Sequence, residues 1–198
     1  MVRLAIIDSG GANIASLQFA VERLGIPSDL TTDPATLKNA SHVILPGVGA
    51  AADCMRRLQN TGLVETIRTL KQPVLGICVG MQLLFESSEE GDVSCLGLLP
   101  GRVRRFANRR DLPVPHMGWN QLEFNRASPL LTDIAVGDYV YFVHSYAAPV
   151  GESTLATCSY GESFAAMVQR GNVYGAQFHP ERSARVGSLL LRNFLQLQ

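Results

Sequence analysis

The stretch Leu75-Gly76-Ile77-Cys78-Val79-Gly80-Met81-Gln82-Leu83-Leu84 restricts the fold of this chain most. An apolar run ends in a cysteine bracketed by two glycines, and a helical pattern begins at the next residue. A side chain on so sharp a strand-to-helix corner stands clear of the sheet, as in a nucleophile elbow. The crowded backbone there calls for Gly76 and Gly80, which carry no Cβ to clash. The helix, expected over Val79 to Phe85, turns its N-terminal N–H groups and positive dipole end toward Cys78 and favours the thiolate. Taken alone, the same pattern also suits a cysteine buried at a strand end.

A second segment, Gln177-Phe178-His179-Pro180-Glu181, follows an expected strand and offers an imidazole and a carboxylate two positions apart. Side chains at i and i+2 of an extended segment share a face, and Pro180 disfavours the helical region for His179. Glu181 is thus expected to orient His179, and with Cys78 the three complete a nucleophile, base and orienting acid. His116 and His144 are alternative bases without an acid two positions away, and His42, at a strand start, is expected to be structural.

The remaining pattern alternates strands and helices and so indicates a parallel sheet. Strands are expected at Leu4 to Ile7, Ser28 to Leu30, His42 to Leu45 and Pro73 to Ile77. Asp8 to Asn13 is expected to turn into a helix that stops at Gly25. A short helix opens at Thr32-Asp33-Pro34, and two more run over Ala50 to Leu58 and Leu63 to Leu70. Ser87 to Gly91 is a polar segment closing the first half. The second half is β-rich, with strands expected at Gly101 to Phe106, Trp119 to Phe124, Asp138 to His144, Leu155 to Tyr160, Phe164 to Gln169 and Val173 to Phe178. Gly171-Asn172 forms a hairpin turn between the last two, and Ser183 is expected to cap a closing helix. The third strand runs into Pro46-Gly47-Val48-Gly49, either a plain turn or, at the carboxyl edge of a parallel sheet, a donor of oxyanion N–H groups.

Composition narrows the function. With 198 residues, 46% of them hydrophobic, the chain suits one domain spanning 1–198. Seventeen basic and seventeen acidic residues balance, so neither nucleic acid nor a membrane is expected as partner, and the substrate is expected to be a small molecule. Four cysteines show no metal-ligand spacing, which suggests reduced thiols in the cytoplasm, and no metal or cofactor is expected. Cys54, Cys95 and Cys158 lack the elbow context and are expected to be packing residues. Arg102, Arg104, Arg105, Arg109 and Arg110 suit a solvated hairpin or a docking edge. Aromatic-rich segments around Trp119 and Asn120 and around Tyr141 suit core strands or an interface.

Pro46-Gly47-Val48-Gly49, the Cys78 elbow and the His179-Pro180-Glu181 segment, in this order, make the chain resemble the class I (triad) glutamine amidotransferases over nearly its whole length. Pro115-His116-Met117-Gly118-Trp119-Asn120 and Tyr141-Phe142-Val143-His144-Ser145-Tyr146 are similar to segments of the glutaminase subunits within imidazole glycerol phosphate synthases. The resemblance implies a largely parallel, flavodoxin-like three-layer sheet flanked by helices. It also implies hydrolysis of glutamine, with ammonia passed to a (β/α)8-barrel cyclase subunit in a heterodimer of histidine biosynthesis. It assigns Cys78, His179 and Glu181 to catalysis, Val48, Gly49 and Val79 to the oxyanion hole, and Gly49, Gln82 and Ser145 to glutamine. Trp119, Asn120, Tyr141 and Arg182 fall to the partner interface. A chain of this length has no room for a synthase domain, so the ammonia acceptor is expected on another protein. Two departures stand out: Asp8-Ser9-Gly10 where the family often has Asp-Tyr-Gly, and Arg182 where lysine is usual. A free-standing cysteine hydrolase and a non-catalytic interaction subunit remain as alternatives.

Overall fold

The computed structural model describes residues 2–10, 14–110 and 112–198, so residues 11–13 of the turn expected after the first strand lie outside the described residues. The first half is wound as β1 (Leu4–Ile7), α1 (Ile14–Glu22), β2 (Ser28–Thr31), α2 (Pro34–Asn39), β3 (His42–Gly47), α3 (Ala51–Asn60), α4 (Leu63–Thr69), β4 (Val74–Cys78) and α5 (Val79–Gln82). The apolar runs of β1, β3 and β4 are buried along their whole length, as parallel strands covered on both faces must be. Asp33 starts α2 by accepting hydrogen bonds from the N–H groups of Ala35 (3.2 Å) and Thr36 (2.9 Å).

The second half continues as β5 (Ser87–Ser88), β6 (Val93–Ser94), β7 (Arg102–Arg105), β8 (His116–Gln121), β9 (Glu123–Phe124), β10 (Tyr139–His144), β11 (Tyr146–Ala147), β12 (Thr154–Ser159), β13 (Ser163–Arg170), β14 (Val173–Ala176) and α6 (Ala184–Leu195). The main sheet has the order β2-β1-β3-β4-β14-β13-β12-β9. Its first five strands are parallel and the rest antiparallel. β14 is the joint between the two regimes: it pairs parallel with β4, Ala176 beside Ile77, and antiparallel with β13. This pairing brings the end of the chain to the strand that ends in Cys78. A two-stranded ribbon, β8 with β10, and a small sheet of β11, β7, β5 and β6 lie outside the main sheet. Among the described residues no helix is long and apolar enough to cross a membrane.

Three expectations change. The helix after Cys78 is a single turn ending at Gln82, not a run to Phe85, because the carbonyls of Leu83, Leu84 and Phe85 accept N–H groups from residues Leu96 to Leu99 instead of continuing a helix. The strand expected over Trp119 to Phe124 is broken at the fully buried Leu122, where the chain leaves the ribbon with β10 and joins β12. The Arg102 to Arg105 segment is no hairpin: β7 is sandwiched between β5 and β11.

Candidate active site at the carboxyl ends of β3, β4 and β14

Cys78, the last residue of β4, has φ 54° and ψ −115°. A positive φ in a residue with a Cβ costs on the order of 1–3 kcal/mol and persists only where the surroundings hold it. Here they do. β3 lies alongside with Gly47 paired to Cys78. A Cβ on Gly80 would come within 1.9 Å of the Leu45 carbonyl oxygen, and one on Gly76 within 2.7 Å of the Gly80 carbonyl oxygen. The elbow therefore needs both glycines for close backbone approach, as the sequence indicated.

His179 lies three residues beyond β14, and its Nδ1 is 2.9 Å from Glu181 Oε1. The pair does not sit on one extended segment: His179 is extended, but Pro180–Arg182 forms a 3-10 turn, and that turn folds Glu181 back under the ring. Burial works against a charged His179. The hydrogen bonds and negative charges of Cys78 and Glu181 outweigh it and push the imidazole up to about 10. Ser183 does not cap α6 with its side chain. Its Oγ donates to the His179 carbonyl (2.7 Å) and accepts the Tyr141 N–H (3.0 Å), while His179 N–H donates to the Tyr141 carbonyl (3.0 Å). The β10 ribbon is thus hydrogen-bonded to the histidine segment.

A cleft of about 520 Å3, within the usual size for a small-molecule site, opens over Cys78 and His179. Val48, Gly49, Val79, Gln82, Ser145 and Arg182, each singled out from sequence, border it. Gly49 has φ 87° with open space where a Cβ would sit, whereas a Cβ on Gly47 would come within 2.5 Å of Gly80 N. The Val48 carbonyl accepts the Cys54 thiol at 3.5 Å, so the Gly49 N–H across that trans peptide points the opposite way. Gln82 turns its amide nitrogen inward, donating to the Tyr146 carbonyl (2.8 Å) and to Gln177 Oε1 (3.0 Å), and Gln177 Nε2 approaches Cys78 Sγ at 3.8 Å.

Sequence reasoning missed two members of this environment. Glu90 borders the cleft from the segment read only as a polar closure, its Oε2 accepting the Ala51 N–H at 2.8 Å, and burial raises its carboxyl. No local pattern marks such a residue, because the packing of the 88–91 turn against α3 brings it in. Gln177 stood in a quoted motif, yet only the pairing of β14 with β4 turns it to the sulfur.

Among the other histidine and cysteine candidates, His144 also borders the cleft, and the rest lie away from it. His116 and His144 are turned to each other, 3.0 Å apart, and burial pushes them down to about 4 and about 3. His42 bridges Ser41 and the Leu197 carbonyl. Cys54, Cys95 and Cys158 are buried and free, with burial raising each thiol. Arg102 pairs with Asp92, Arg105 with Asn108, and Arg109 with the Gly161 carbonyl. Trp119 and Tyr141 sit opposite each other on the exposed face of the ribbon, rings 5.8 Å apart, with Arg182 stacked 4.9 Å from the Tyr141 ring. Asn120 points the other way, donating to the Ser159 carbonyl. Among the described residues no three His, Cys, Asp or Glu side chains gather where a metal ion could be held.

Residues 5–197 match the family "Glutamine amidotransferase class-I". The chain is 55% identical over 197 residues to imidazole glycerol phosphate synthase subunit HisH of Xylella fastidiosa, covering all of this chain and 98% of the relative. The same figures hold for the HisH subunit of Xanthomonas axonopodis pv. citri. Among solved structures, a glutamine amidotransferase superposes with a TM-score of 0.75 at 21% identity, over 98% of this chain and 97% of that one. PurLQS from Thermotoga maritima superposes at 0.73 and 19%, with the same coverage.

Proposed function

This chain belongs to the class-I glutamine amidotransferase family, and from that premise we propose that it is the glutaminase subunit of an imidazole glycerol phosphate synthase, with Cys78, His179 and Glu181 as its hydrolytic triad. The observation that carries the triad is the convergence of a strained Cys78 and a Glu181-bound His179 on one cleft. Residues 1–198 act as one amidotransferase domain, a reading supported by the extent of the family match. The free, buried thiols support a cytoplasmic setting.

The thiolate of Cys78 attacks the carboxamide carbon of glutamine, and the carbonyl π electrons move to oxygen. Backbone N–H groups of the Val48-Gly49 and Val79 region hold that oxyanion, each such donor worth about 3 to 4 kcal/mol in acyl transfer. As the C–N bond breaks, His179 gives its proton to the departing ammonia and a thioester remains. His179 then takes a proton from water, which adds to the thioester, and glutamate leaves as the thiol is restored. Glu181 keeps the imidazole oriented throughout. Gly49, Gln82 and Ser145 border the glutamine site, and the Glu90 carboxylate suits the α-ammonium of the substrate.

Ammonia passes to a cyclase subunit, a (β/α)8 barrel, in a heterodimer. Met117, Trp119 and Tyr139 support this reading: they are more than half exposed on one face of the ribbon that is hydrogen-bonded to His179. Large exposed apolar side chains gathered on one face mark interaction sites. Arg182, stacked on Tyr141, flanks that face, whereas Asn120, expected at the interface, is turned away from it to the Ser159 carbonyl. The deciding experiment measures glutamine hydrolysis by the chain alone and with an imidazole glycerol phosphate synthase cyclase and its nucleotide ligand, with Cys78→Ser as the blank. Strong stimulation by the liganded partner is expected. Full activity without the partner, unaltered by it, would favour a free-standing hydrolase.

A further inference from the structure

Beneath the exposed face of the ribbon, His116 and His144 are 3% and 6% exposed and take no part in the hydrolytic scheme. His116 is stacked between Tyr160 (4.0 Å) and Phe142 (4.9 Å). The hydrogen bonds of the pair run in one direction, fixed at both ends by backbone groups that can play only one role. At one end His144 Nδ1 lies 2.8 Å from the Tyr146 carbonyl, so Nδ1 carries the proton. At the other end Asn120 Oδ1 accepts the Gln121 N–H (2.8 Å) and Asn120 Nδ2 donates to the Ser159 carbonyl (2.9 Å), which orients the amide. Asn120 Nδ2 also faces His116 Nε2 at 3.4 Å, so Nε2 must accept. His116 Nδ1 therefore donates to His144 Nε2 across 3.0 Å. A proton added to either ring would set two donors against each other, and desolvation by itself already opposes the charge, as the values of about 4 and about 3 indicate.

We propose that His116 and His144 form a positioning relay that ties the ribbon, through Asn120, to the Tyr146 carbonyl and so fixes the 143–146 wall of the glutamine cleft. The wall matters because it touches both the substrate space and the nucleophile. The Tyr146 carbonyl also accepts Gln82 Nε2 at 2.8 Å, and the Val143 carbonyl lies 3.8 Å from Cys78 Sγ. His116 lies away from the cleft, and His144, which borders it, has both ring nitrogens engaged in the relay, so neither offers the substrate a hydrogen bond. The proposal rests on the glutaminase reading for its kinetic consequence and on hydrogen bonding alone for its protonation state, so the two are tested separately.

Nitrogen NMR of the histidine-labelled chain in complex with the cyclase reads the rings directly. Both are expected neutral and in the Nδ1–H form, the minor tautomer of free imidazole in water, between about pH 5 and pH 8. An Nε2–H form or a protonated ring at either site would overturn the relay. Kinetics on the same complex read its effect. Loss of both buried hydrogen bonds of His144, to the Tyr146 carbonyl and from His116, in His144→Phe is expected to raise the KM for glutamine about ten-fold or more, with a smaller change in kcat. His144→Asn, whose amide nitrogen reproduces the Nδ1 donor, is expected to recover most of that loss. His116→Phe keeps the stack, breaks the chain at its middle, and should move KM in the same direction even where His144→Phe fails to fold. Wild-type KM in both phenylalanine variants would refute the relay while leaving the glutaminase assignment intact. A wild-type complex inactive on glutamine would refute the assignment and the kinetic role together.

Discussion

Cys78 holds the strain and His179 the charge, and each gives a distinct expectation. Glycine adopts a positive φ without steric cost, so Cys78→Gly is expected to abolish glutamine hydrolysis while leaving the thermal midpoint at or above that of the wild type. A clear fall in midpoint would show that the elbow is not strained at that residue. For His179, the folded value of about 10 exceeds the ordinary 6.5, so the folded state binds the proton more tightly than the unfolded chain. The resulting stability is fully present below about pH 6.5 and is lost as pH rises through about 10. Glu181→Gln removes one of the groups that hold the proton. Its thermal midpoint should therefore decline less steeply across that window, as a series of melts would record, and an unchanged slope would show that Glu181 does not hold it.

At the scale of elements, the loop after β3 separates packing from function. Gly49→Ala meets no neighbouring atom but must keep φ near 87°, which costs on the order of 1–3 kcal/mol. The variant is expected to fold and to lose partner stimulation, because the Val48-Gly49 peptide can no longer turn freely. Wild-type stimulation in this variant would show that stimulation does not require the Val48-Gly49 peptide to turn. Gly47→Ala is not an equivalent test, since its Cβ would collide with the Gly80 backbone and disturb the elbow itself. The strands β1, β3 and β4 were legible as short apolar runs because both faces are covered, and the Gly171-Asn172 turn because β13 and β14 form a local hairpin. The early stop of α5 was not legible. It depends on N–H groups from Leu96 to Leu99, whose approach no local pattern announces.

Across the whole molecule, the ribbon of β8 and β10 connects an exposed aromatic face with the site. Trp119 is 51% exposed and packs edge-on against Tyr141, whose backbone is bonded to His179 and Ser183. An aromatic anchor of this kind is worth about 2 kcal/mol or more at an interface. Trp119→Ala should accordingly weaken cyclase binding some thirty-fold or more by titration calorimetry, with the thermal midpoint of the isolated chain unchanged. Undiminished affinity would move the interface to another face.

The elbow, the triad candidates and the parallel character of the first half could be read along the chain, because each depends on near neighbours: two glycines around Cys78, an acid two residues after His179, apolar runs of strand length. Whatever joins distant parts of the chain came from the folded structure. It inserted β14 beside β4 and thereby carried His179 across about a hundred residues of sequence to Cys78. It folded Glu181 back through a 3-10 turn, brought Glu90 to the cleft, and joined His116 to His144. Strand pairing and side-chain burial are set by contacts distant in sequence, and no local periodicity encodes which distant segment will supply the partner.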